Sequence, residues 1–367
     1  MTICLSHGGD TITAAHSPSN DLLVATADGL LSMKRAAPGK DWGVDKRWLQ
    51  GHHVNAILIE PQSGTIFAGM HNGGVAASKD FGESWEFRNN GIASDNVYSL
   101  ASAKSGGKTK VYAGTEPAHL YVSEDMGASW RELPALRSVP SLPKWTFPGP
   151  PHIAHVKDIT FDPRDAETIY ASVEQGGVLR SKDAGATFEE ITGWMYLTGS
   201  YNDDPHRLMI RPSQPGTMFI PTGFGMYRTK DGGDKWEDVS RGIPGIGYPD
   251  LFVYDPRDDS LMFVAGGEMN PGEWMRAIDV RPKVARSRDG GETWEVLPGP
   301  GAGLHGNFEA MSIEAWDGGS AIYIGDTDGD IYCSEDEGDS WGKIATGLPA
   351  ISKGGHYQVL ALAASRR

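Results

Sequence analysis

The chain has 367 residues and a formal net charge of −15, an acidic balance that argues against nucleic acid as a partner and against an anionic membrane surface, since both need basic patches. Its 48 glycines and 23 prolines suit an all-β chain with many turns. Two cysteines far apart in sequence, Cys4 and Cys333, read as reduced thiols, not as a disulfide framework. No apolar run reaches transmembrane length, and Met1 to His7 carries no basic, then apolar, leader. The expected setting is therefore cytoplasmic.

In chain order, seven short apolar runs have strand character: 22–26, 65–69, 110–114, 168–172, 217–221, 261–265 and 321–325. Most are preceded by an apolar strand that ends in a turn, such as Glu60-Pro61 or Asp162-Pro163, and most are followed by a short turn and two further strands. Seven four-stranded units are predicted, over about 10–50, 53–92, 96–135, 154–195, 205–243, 248–299 and 305–350. A closing strand is predicted at 356–364.

Six of the units share one motif. It runs Ser78, Asp80, Gly82, Ser84, Trp85 in its first copy and Ser334, Asp336, Gly338, Ser340, Trp341 in its last, and the copies recur every 45 to 58 residues. A fixed motif at that period means a repeat architecture. Its chemistry is that of a hairpin turn, in which Asp accepts hydrogen bonds from the turn's own amides and Gly supplies a positive φ. These residues resemble the Asp-box, or BNR repeat, of sialidase-like β-propellers, over about residues 10 to 364. The resemblance implies a β-propeller, and with the seven predicted units the expected fold is an all-β, single seven-bladed propeller whose ring is closed by the C-terminal strand. The resemblance also implies that the box residues are structural.

Three connections are longer than the rest: 133–154, 191–204 and 268–284. Their aromatics, among them Trp145, Trp194, Tyr196 and Trp274, favour an ordered roof over a substrate. Aligned by the turn that ends each first strand, the strand entries read His53, Asn96, His155, Asp204, Tyr248, Asn307 and His356. Two residues later stand Asn55, Tyr98, Lys157, His206, Asp250, Glu309 and Gln358. Residues two apart share a face of a strand, so a polar, His-rich ring is expected at one mouth of the propeller channel. Turns between second and third strands add His71, Glu116, Glu174 and Glu268.

Imidazoles from several blades suit a divalent transition metal, iron, zinc, copper or manganese, with His53, His155, His206 and His356 as the expected ligands. Glu116, Glu174, Glu268 and Glu309 are the candidate general acids and bases. Trp145, Trp194, Tyr196, Trp274 and Lys157 are the candidate substrate contacts. The leading expectation is a metal-dependent lyase, hydrolase or oxygenase acting on a small organic molecule. The alternatives are an Asp-box glycoside hydrolase with paired carboxylates and a non-catalytic binding or assembly propeller. A sialidase proper is not expected, because the Arg-Ile-Pro that the family carries near its N-terminus is missing.

Overall fold

Seven sheets, six of four strands and one of five, account for the strands of the described residues. In this computed structural model the described residues are 2–147, 149, 151–193, 204–270, 279–300, 303–304 and 306–352. The architecture is an all-β, seven-bladed β-propeller. By contacts the chain divides into two compact units, Asn55–Glu237 and the segments on either side of it.

Apart from one parallel strand in each of the first and seventh sheets, the blades are antiparallel meanders. Blade four, for example, runs His155–Asp162, Asp165–Glu174, Gly177–Ser181 and Glu189–Glu190. Its second strand is buried from Thr168 to Glu174 with no alternation. A sheet covered on one face only alternates apolar and polar residues; a sheet covered on both faces is apolar throughout. The packing explains the pattern, since the apolar clusters lie between neighbouring sheets. One joins Leu120, Val122 and Tyr112 of blade three to Val156, Ile169 and Leu179 of blade four. Another joins Phe263 and Val284 of blade six to Met311 and Ile324 of blade seven.

The sheets approach closely. A Cβ on Gly114, in the second strand of blade three, would lie 2.7 Å from the Val156 side chain of the next blade. Glycine there is a packing requirement.

The first blade departs from the expected boundaries. Ile3–Leu5 joins it by pairing in parallel with Asp21–Thr26. Ile12–Ala14 instead pairs in parallel with Phe308–Trp316 and forms the fifth strand of the seventh sheet. The N-terminal segment thus contributes strands to two blades, because two short apolar runs separated by Gly8 and Gly9 can each serve a different edge. The expected closing strand at 356–364 lies outside the described residues.

The six motif turns fold alike. In the second, Ser123 Oγ donates to Asp125 Oδ1 at 2.8 Å and accepts from the Gly127 amide at 2.7 Å. Asp125 in turn accepts from the Ser129 amide and hydroxyl at 2.9 and 2.6 Å. In the fourth turn Lys235 replaces the hydroxylic residue, and only its backbone amide reaches Asp231.

Two predictions follow from these turns. Gly338 sits at φ +89°, and a Cβ there would lie 2.4 Å from Leu297 Cδ1. Gly338→Ala therefore combines left-handed strain with overpacking and is expected to cost about 2–4 kcal/mol, read by urea denaturation. The Ser129 hydroxyl and amide also hold the Asp125 carboxyl below its ordinary 3.8. A depressed folded pKa stabilises fully above the unfolded value, and that stabilisation is lost as pH falls through the folded one. Melting temperature should drop as pH is lowered from 5 towards 3, and Ser129→Ala should flatten that drop.

Candidate functional site

A bulge recurs two residues into the first strand of four blades. The pairing register shifts between Val97 and Ser99, Val156 and Asp158, Pro249 and Leu251, and Phe308 and Ala310. The residues skipped are Tyr98, Lys157, Asp250 and Glu309, the second row of polar residues expected from the sequence. A bulged residue has no partner opposite it, so its side chain can be re-aimed. Regular strand alternation is therefore not what brings His155 and Lys157 together; the bulge is. The residue two before the bulged one faces the last residue of the second strand: Asn96 pairs with Glu116, His155 with Glu174 and Tyr248 with Gly267.

In blades three to five these strand ends build one polar cluster. His155 Nε2 donates to Glu174 Oε2 at 2.8 Å, and Lys157 Nζ lies 3.3 Å from the same oxygen. His155 Nδ1 stands 3.7 Å from Glu116 Oε2, which also accepts from the Tyr98 hydroxyl at 3.2 Å. The Tyr98 and His155 rings stack with centroids 3.8 Å apart, His71 meets Tyr98 edge-on, and Phe147 leans on His155. His155, Lys157, Glu174 and His206 are all buried, whereas the Glu116 side chain keeps 14% exposure. Burying an ionised carboxylate is costly unless it is paired, and Lys157 supplies that pairing for Glu174.

Asp204 and His206 precede the first strand of blade five and are anchored by its second. The His206 amide donates to Pro221 O at 2.9 Å, and the Gly223 amide donates to Asp204 O at 3.1 Å. Among the described residues, Glu174, Asp204 and His206 form one group of three buried side chains whose ligand atoms lie within 4.8 Å of one another.

The other expected site residues are placed as follows. His53 Nε2 lies 2.9 Å from the Ser352 carbonyl, and burial lowers its pKa. Glu268 is ion-paired with Arg281 at 3.3 Å and Lys283 at 3.6 Å. Glu309 is fully buried and accepts from Asn307 Nδ2 at 2.7 Å. Trp145 is half-buried, packs on the core of blades three and four, and donates from Nε1 to Ser141 Oγ at 2.9 Å. Trp194, Tyr196, Trp274 and His356 lie outside the described residues. Of the four expected imidazole ligands, His206 alone belongs to the three-ligand group.

Sequence reasoning placed Asp204 and Tyr98 on the polar strand entries but gave them no role. It missed Asp326 altogether. Asp326 faces Phe308, a place held in blade four by the apolar pair Val156 and Val173, so no position in the repeat marked it. Burial, reinforced by Asp328 and Asp330 nearby, pushes the Asp326 carboxyl up to about 7. A raised folded pKa on an acid favours the neutral form, so this residue's contribution to stability is full below the unfolded value of 3.8 and falls as pH rises towards 7. The loss amounts to about 4 kcal/mol at most. Asp326→Asn cannot ionise. Its stability relative to the native chain should rise between pH 4 and pH 8, measured by denaturant midpoints at each pH.

No protein-family model matches the chain. Among curated proteins it is similar to xyloglucanase Xgh74A of Acetivibrio thermocellus, 27% identical over 258 residues, which are 63% of this chain and 30% of that protein. It is also similar to a xyloglucanase of a Paenibacillus species, 24% identical over 278 residues, 67% of this chain and 26% of the relative. The aligned stretch thus spans under a third of the length of these relatives. Among solved structures, an ancestral GH74 enzyme superposes with a TM-score of 0.59 at 16% identity over 80% of this chain and 39% of the other. YCF48 bound to D1 peptide superposes with a TM-score of 0.55 at 14% identity, over 89% of this chain and 99% of the other. At such identities these structures establish the propeller fold.

Proposed function

We propose that the protein is a glycoside hydrolase acting on a xyloglucan-like β-glucan, with Glu116 and Glu174 as its carboxyl pair. The observation that carries this reading is the series of xyloglucanase relatives aligned over about two thirds of the chain. They favour the glycoside-hydrolase alternative over a metal-dependent lyase.

Glycoside hydrolysis needs two carboxyl groups in different surroundings, one to give a proton to the leaving oxygen and one to act as base or nucleophile. Glu116 and Glu174 fit that division. Glu174 is buried, ion-paired with the Lys157 ammonium and hydrogen-bonded to His155. It is the base, acting through a water. Glu116 keeps solvent access, accepts from Tyr98 and faces His155. It is the proton donor to the leaving sugar oxygen. His155 stands between the two and fixes the orientation of each. Phe147 and Trp145 offer flat apolar faces of the kind that sugar rings stack on.

Incubating the purified protein with xyloglucan and assaying new reducing ends tests the reading. Glu116→Gln should lower the rate by about 10²-fold or more without changing the melting temperature. No reducing ends from xyloglucan or from unbranched β-1,4-glucan would overturn hydrolysis and leave a non-catalytic binding propeller.

A further inference from the structure

We infer that Glu174, Asp204 and His206 form a binding site for one divalent transition-metal ion of the manganese or zinc class. Their ligand atoms lie within 4.8 Å of one another, and all three side chains are buried. The ligands come from two blades, Glu174 from the end of a second strand and Asp204 and His206 from the approach to the next first strand.

The surroundings of Asp204 point to a cation. Asp204 is 7% exposed, and among the described residues no hydrogen-bond donor reaches its Oδ1. A buried carboxylate oxygen in that state is unfavourable until a positive charge approaches it. The place of this carboxylate depends on a glycine: a Cβ on Gly223 would lie 2.4 Å from Asp204 Oδ2.

Two carboxylates and one imidazole suit zinc or manganese. Bond lengths of about 2.0–2.2 Å require the three donors to draw closer on binding, and three protein ligands leave a position open. The inference goes beyond the hydrolase reading and shares only Glu174 with it.

The test is titration of chelator-stripped full-length protein with Zn(II), Mn(II) and Co(II), followed by calorimetry and, for cobalt, by visible absorption. One equivalent is expected to bind, with a rise in melting temperature and cobalt bands indicating nitrogen and oxygen ligands. Asp204→Asn and His206→Gln should each weaken binding at least tenfold, while Asp326→Asn leaves it unchanged. Absence of stoichiometric binding and of cobalt bands in the native chain overturns the site, whatever the variants do. Full-affinity binding by either folded ligand variant overturns it as well. Reducing-end release by chelator-stripped protein is scored separately, so hydrolysis can fail while the metal site stands, or the reverse.

Discussion

Coverage of the sheets on both faces is the constraint that organises this molecule. Where one sheet packs on its neighbour, the inner strands are largely apolar, and groups such as Val156, Ile169 and Leu179 interlock with those of the adjoining blade. Most charged side chains are then left to strand ends, turns and the exposed outer strands. Chemistry concentrates where the first strand enters and the second strand leaves, as at the His155–Glu174 pair. The opposite ends of the same strands carry Asp162 and Asp255, which accept from the amides of their own turns.

The recurrent bulge is the second device. By taking Tyr98, Lys157, Asp250 and Glu309 out of the pairing register, it places a second polar side chain near the first. The result in blades three to five is a buried set of charges whose members depend on one another. Removing one partner of such a set leaves the other uncompensated in a poorly solvating interior. Glu174 is the shared member. It takes the imidazole of His155 and the ammonium of Lys157, and it lies within ligand reach of Asp204 and His206. The proposed roles in hydrolysis and in cation binding both pass through that one carboxylate.

Much of the architecture was legible in the chain itself. The recurrence of Ser, Asp, Gly and Trp at fixed offsets requires repeated turns, because the offsets encode local hydrogen bonds such as Ser123 to Asp125 to Ser129. Local chemistry of this kind is independent of the rest of the fold. Counting the second strands then sets the number of blades at seven, and aligning the strand entries brings His155 level with Asp204 and Lys157 level with His206. Tertiary structure alone decided what those residues do together. The edges served by Ile3–Leu5 and Ile12–Ala14 depend on which sheet has a free side within reach, and short apolar runs carry no record of that choice. The proposed ligand set of Glu174, Asp204 and His206, in place of a ring of imidazoles, depends on bulge position, on a missing side chain at Gly223 and on burial. None of these has a local signature, because each is a property of segments distant in sequence that meet only once the sheets have packed.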